Sequence, residues 1–152
     1  LLYPVGWSLS RHVFYLTRSF LPGIRRSFAR NSHDDSFLRF LKEHDCLQAR
    51  TLPTVWVAAM VDYQQRFAGA AQSGVPVQII QGTDDGTVDW RKNLPLIREK
   101  FPVGQVHLLD GARHHLVNES AVFRERLFAR LVRIIGSQPA RAPLPTKPAG
   151  VA

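Results

Sequence analysis

Residues Val75 to Trp90 read VPVQIIQGTDDGTVDW, and residues Gln105 to Glu119 read QVHLLDGARHHLVNE. Each stretch opens as an apolar run and ends in a loop that carries an ionisable side chain. In the first, Val75, Val77, Ile79 and Ile80 lie between Gly74 and Gly82. A short, continuous β-branched run with glycine at both ends predicts a buried strand, with Pro76 tolerated near its start. In the second, Val106 to Leu109 predicts another buried strand that stops at Asp110-Gly111. Between them a helix is expected over Leu94 to Phe101, where Pro95 fits the first turn if Asn93 is the cap. After them, Val122, Phe123, Leu127, Phe128, Leu131, Val132 and Ile135 recur at helical spacing, with Arg124, Arg126, Arg130 and Arg133 off that stripe. Asn118 is placed to cap this last helix. Strand, helix, strand, helix is the alternation of an α/β fold with parallel strands.

Two parallel strands do not make a sheet covered on both faces. The remaining strands are expected from sequence N-terminal to Leu1, and the chain does open in an apolar stretch, LLYPVGW, without an initial methionine. Residues 1–74 have a different texture, rich in aromatics and arginine. Val13, Leu16 and Phe20, then Phe37, Phe40 and Leu41, then Val57, Met60 and Val61 follow helical periodicity. Punctuation at Pro22-Gly23, at Asn31 to Asp35 and at Pro53 divides this region into several short helices. Residues 137–152, SQPARAPLPTKPAGVA, have almost no core-forming side chains and read as a disordered tail.

Composition narrows the function classes. The net charge of +8 is spread over arginines, densest at Arg18, Arg25, Arg26 and Arg30, with no block of five or six like charges. That pattern reads as solvated basic faces, and no nucleic-acid partner is expected. The single cysteine, Cys46, excludes an internal disulfide and any multi-cysteine zinc site, and permits a reducing, cytoplasmic location. The longest uncharged apolar stretch, Thr54 to Val61, is far shorter than the roughly 20 residues of a spanning helix.

The chemistry lies in the two loops. A right-handed crossover opens both on the carboxyl-terminal side of the sheet, and neighbouring strands lie about 4.8 Å apart. An acid from the first loop, Asp84, Asp85 or Asp89, would then reach a histidine of the second, His114 or His115. A carboxylate that fixes the tautomer of an imidazole, and an imidazole that takes a proton from a hydroxyl, are the acid and base of nucleophilic hydrolysis.

The pattern Gly82-x-x-Asp85-x-x-Val88, followed after a helix by Gly111-Ala-Arg-His114, resembles the C-terminal part of the α/β-hydrolase family. The likeness is to its monoglyceride-lipase, lysophospholipase and serine-aminopeptidase-like members, and it covers residues 75–136. It implies that Asp85 is the acid and His114 the base, in the chain order Ser, Asp, His of that fold. It also implies that residues 1–74 are a helical cap or lid, that residues 75–136 are the end of the hydrolase core, and that no cofactor or metal is needed. Its substrates are carboxylic esters, with a lipid or acyl-glycerol ester suggested here by the aromatic, basic region from Arg11 to Phe40. That region would also allow peripheral contact with a lipid interface.

The nucleophile is harder to find. Gly6-Trp7-Ser8-Leu9-Ser10 is one residue short of Gly-x-Ser-x-Gly, but only Leu1 to Val5 precede it, and Pro4 interrupts them. The serine, its elbow and the oxyanion hole are therefore expected upstream of Leu1. The competing reading is a degenerate, non-catalytic hydrolase segment that at most binds through its basic helices. His33-Asp34-Asp35 and His44-Asp45-Cys46 lack metal-site spacing and read as helix boundaries. His12 and His107 have no evident partner in sequence. Glu119, Arg113 and Asn118 are expected to shape the second loop.

Overall fold

The computed structural model describes residues 3, 4, 6–26 and 30–137. In chain order the elements are helix α1 (Trp7–Thr17), strand β1 (Gly23–Arg25), helix α2 (Asp35–Glu43), strand β2 (Thr51–Pro53) and helix α3 (Thr54–Gly69). Strand β3 (Gln78–Gly82), helix α4 (Trp90–Lys100), strand β4 (Gln105–Leu109) and helix α5 (Ala121–Gly136) follow, with a single 3-10 turn, Leu116–Asn118, before α5. Apart from Ser137, which ends α5, the Pro/Ala-rich tail lies outside the described residues.

β3 and β4 pair in parallel, from Gln78 opposite Gln105 to Gly82 opposite Leu109, with α4 as the crossover. The apolar run that predicts the first strand starts three residues early: Val75 to Val77 precede the paired segment, although the Val77 carbonyl accepts from Gln105 N at 2.9 Å. α4 in turn begins four residues before the expected start. Asp89 is its cap and accepts from the main-chain N–H of Lys92, which moves Pro95 from the first turn into the second. There the proline ring withholds one helical hydrogen bond, which shortens the reach of the helix's own stabilisation. Asn93 does not cap anything. It is buried, and its side-chain amide clamps the main chain of Tyr3, accepting from Tyr3 N at 3.0 Å and donating to Tyr3 O at 3.0 Å.

The core has two parts. Leu109, Ala112 and Leu127 are buried together, with Ile80, Leu116, Phe123 and Leu131 packed against them. Only one edge of the expected α5 stripe is used here: Val122, Phe128, Val132 and Ile135 are exposed. Nor is Asn118 the cap of α5. Ser120 holds that position, and Asn118 ends the 3-10 turn that reorients the chain into the helix. The second part joins Trp7 and Phe14 of α1 to Val57 and Val61 of α3, and the indole N–H of Trp7 donates to Gln64 Oε1 at 2.8 Å. Val13, Leu16 and Phe20, which follow the same periodicity, face outward. The region before residue 70 is not wholly helical: β1 and β2 pair antiparallel, Gly23 opposite Pro53, and tie α2 between them. Among the described residues no helix is long and apolar enough to cross a membrane.

Gly82 sits where the end of β3 runs against the loop after β4. A Cβ there would lie 2.7 Å from both the Ala112 carbonyl carbon and the Arg113 carbonyl oxygen, backbone that cannot move aside cheaply. Gly82→Ala is therefore expected to lower stability by about 1–3 kcal/mol, the usual cost of overpacking. Urea unfolding checks this, and an unchanged midpoint would mean that the two loops are not in contact.

Candidate active site

Four hydrogen bonds beyond the paired strands tie the two loops together. Thr83 N donates to Leu109 O at 3.2 Å and Asp84 N to Ala112 O at 3.0 Å, so the ladder runs on past the strand ends. The Thr83 hydroxyl bridges the loops, donating to Asp110 Oδ1 at 3.0 Å and accepting from Gly111 N at 2.8 Å. Gly111 has a left-handed conformation, φ 74°, which turns the second loop back toward the first. Asp85 and His114 project from these two tied loops.

The Asp85 carboxylate is almost wholly buried, with 2% of its side chain exposed. Oδ1 accepts from the main-chain N–H groups of Thr87 (2.8 Å) and Val88 (3.1 Å), a local turn that locks its rotamer. Oδ2 accepts from the Gln81 amide at 2.9 Å and from His114 Nδ1 at 2.9 Å. Burial pushes the carboxyl pKa up, but the hydrogen bonds from His114, Gln81, Val88 and Thr87 outweigh it and hold Asp85 below the usual aspartate value. Asp85 is thus a fixed anion at neutral pH.

His114 donates from Nδ1 to that anion, and this assigns its tautomer: in the neutral ring the lone pair is on Nε2. The side chain is partly open, 27% exposed. The geometry separates the competing side chains. Asp84 is exposed and pairs with Arg113 Nε at 3.3 Å. Asp89 is committed to the α4 cap. His115 packs edge-on to Phe37, with ring centroids 5.2 Å apart. Burial holds its pKa below that of a free histidine, helped by the neighbouring His114 and Arg26 and opposed by Asp85 and Glu119.

Ser8 lies in the first turn of α1, exposed, with its carbonyl accepting from His12 Nδ1 at 2.6 Å; no hydrogen bond joins it to His114 or Asp85. Among the described residues before it, Pro4 forms an isolated bridge to Val88. His12 and His107 both have hydrogen-bond partners, His107 Nε2 pairing with Gln78 Oε1 at 2.7 Å. Asp34 caps α2 by accepting from Ser36 and Phe37, while Asp45 accepts from Leu47 and Cys46 is exposed. Among the described residues no cluster of three or more histidine, cysteine or acidic side chains is arranged to hold a metal.

Two features of the site are absent from the sequence reading. Gln81 has no catalytic residue type to mark it, although its place next to Gly82 at the strand end puts it within reach of any loop carboxylate. The pairing of His33 with Glu119, at 3.0 Å, joins residues 86 positions apart, and nothing local announces it.

No protein-family model and no curated protein matches the sequence. Solved structures do match in fold. One is a soluble variant of monoglyceride lipase from Saccharomyces cerevisiae, in complex with a substrate analog: the TM-score is 0.71 at 15% identity, over 93% of this chain and 52% of that one. Another is a monoacylglycerol lipase from Paleococcus ferrophilus, with a TM-score of 0.66 at 18% identity, over 86% of this chain and 53% of that one. The chain spans about half the length of each. Over that half, this chain shares the α/β-hydrolase fold of the monoglyceride lipases.

Proposed function

We propose that the chain is the cap and the C-terminal part of the core of a serine hydrolase that cleaves carboxylic esters of the acyl-glycerol or related lipid class. The observation that carries this reading is the 2.9 Å hydrogen bond from His114 Nδ1 to a buried, four-fold hydrogen-bonded Asp85 carboxylate, at the ends of two parallel strands. His114 Nε2 takes the proton of a serine hydroxyl as that oxygen attacks the ester carbonyl. The imidazolium so formed is stabilised by Asp85, which remains ionised. His114 then returns the proton to the departing alcohol, leaving an acyl-enzyme, and repeats the cycle with water.

The serine and the oxyanion hole, in this reading, come from sequence outside residues 1–152, since Ser8 is exposed in the first turn of a helix. The preference for a lipid ester is supported by the monoglyceride lipase solved with a substrate analog and by the exposed apolar side chains of α1, Leu9, Val13 and Leu16. The helical region would shield an acyl chain from water, and no cofactor enters the scheme.

In the full-length protein, His114→Ala is expected to lower kcat for a short-chain nitrophenyl ester by about 10⁴-fold or more. Near-wild-type turnover would refute the role given to His114. Asp85→Asn should cost about 10⁴-fold, since an amide favours the wrong imidazole tautomer. The same variant has a stability signature. Because the folded pKa of Asp85 is depressed, its carboxylate stabilises the fold above the unfolded aspartate pKa, and that contribution is lost as pH falls through the folded value. Urea unfolding from pH 7 down to pH 3 should accordingly lose part of its acid sensitivity in Asp85→Asn. A fluorophosphonate probe should label the full-length protein and leave the 152-residue chain unlabelled; labelling of the short chain at Ser8 would overturn the assignment of the nucleophile to another segment.

A further inference from the structure

Asp85 accounts for the orientation of the His114 ring, but not for the position of the main chain on which the ring is mounted. The amide hydrogens on either side of His114 are both engaged, one by a side chain six residues on and one by a remote segment. Arg113 N donates to Glu119 Oε1 at 2.7 Å, and His115 N donates to the carbonyl of Asn31 at 2.9 Å. Asn31 belongs to the segment before α2, more than eighty residues away in sequence. That segment is bound to the loop along its length. The buried Ser32 hydroxyl donates to Asn118 O at 2.7 Å, and Arg113 Nη1 donates to Ser32 O at 2.9 Å.

Glu119 is the centre of this arrangement. It is fully buried, at 0% exposure. Besides Arg113 N, it accepts from His33 N at 2.7 Å, from His33 Nδ1 at 3.0 Å and from Ser120 N at 3.1 Å. The His33 ring is held in place by stacking on Phe123, with centroids 4.9 Å apart. Burial pushes the Glu119 pKa up, and the donors from His33, Arg113 and Ser120 more than reverse it, so the side chain stays ionised. A buried, ionised carboxylate is weak as a source of net stability, because desolvation consumes most of what its partners return. What it enforces is geometry: with every lone pair engaged, the donors cannot shift without exposing a buried charge.

We infer that Glu119, clamped by the Asn31–Asp34 strap, is a positioning residue for His114, fixing the backbone beneath the imidazole and making that placement depend on the helical region. This rests on the reading of His114 as the base. Loops carry catalytic groups loosely unless a second set of contacts locks them, and a misplacement of about 1 Å costs on the order of 100-fold in rate.

The test uses the full-length protein and a nitrophenyl ester, with Glu119→Gln, His33→Ala and His33→Asn. Glutamine keeps the shape of Glu119 but turns an N–H₂ group toward N–H donors. It is expected to lower kcat about 10–100-fold with KM within about twofold, in protein that circular dichroism shows to be folded. His33→Ala should lower kcat about 3–10-fold, and His33→Asn, whose side-chain amide can donate from the place of Nδ1, should restore most of it. The low-field proton resonance of the His114–Asp85 hydrogen bond should shift in Glu119→Gln and His33→Ala and return in His33→Asn. Folded Glu119→Gln with wild-type kcat and an unmoved resonance would overturn the inference. So would equal rates for His33→Ala and His33→Asn, which decide the matter if Glu119→Gln does not fold. Failure of the functional reading looks different: His114→Ala would then retain turnover, while the resonance would still report whether Glu119 holds the ring.

Discussion

The parallel register of β3 on β4 is the constraint on which the rest depends. With Gly82 opposite Leu109, the two strand ends leave the sheet side by side, and the ladder continues through Thr83 and Asp84. This continuation brings the loop backbones into van der Waals contact, which only a residue without a Cβ at position 82 permits. A one-residue slip would move the Asp85 turn along the sheet and reverse the faces of Ile79 and Ile80. The Asp85–His114 bond is therefore a consequence of sheet register before it is a matter of side-chain chemistry.

Two buried carboxylates flank the same loop and are handled alike. Asp85 and Glu119 each lose solvation on folding, and each is kept ionised by a set of N–H donors, several of them main-chain groups. Main-chain donors are rigidly placed and carry no side-chain entropy, so they return more of the desolvation cost than flexible partners would. The two differ in what they orient. Asp85 faces the His114 ring, while Glu119 faces the amide one residue before it and reaches the segment ahead of α2 through His33. Between them, Asp85 constrains the imidazole and Glu119 its backbone.

The helical part of the chain is less regular than its periodicity suggests. Apolar residues at helical spacing mark α1, α2 and α3; Trp7, Phe14, Val57 and Val61 form the buried centre of a shared core with Met60 packed against it, while Leu9, Leu16 and Phe20 are exposed. Periodicity reports that a face is apolar; it does not report what covers that face. The same holds for α5, where Leu127 is buried while Val132 and Ile135 are open. The short β1–β2 pair had no signal at all, being three residues per strand and dependent on a remote partner, with Gly23 opposite Pro53 and Arg25 opposite Thr51.

By itself the sequence determined the strand, helix, strand, helix order of residues 75–136 and the two loops in which an acid and an imidazole meet. These follow from local rules: β-branched runs, glycine at the turns, apolar residues at helical period. Residue types alone left Asp84, Asp89 and His115 open beside the Asp85 and His114 that the family resemblance implies, and only the tertiary structure gives the physical reason for the pairing. Asp85 faces His114 while Asp84 faces Arg113 and His115 faces Phe37, because the direction of a loop side chain depends on contacts with the neighbouring loop. It also decided that Asn93 clamps Tyr3 where a cap was expected, and that Glu119 reaches His33 across 86 positions. A hydrogen bond between segments so distant is set by how the helical region docks on the sheet, and the spacing of residue types along the chain carries no record of that docking.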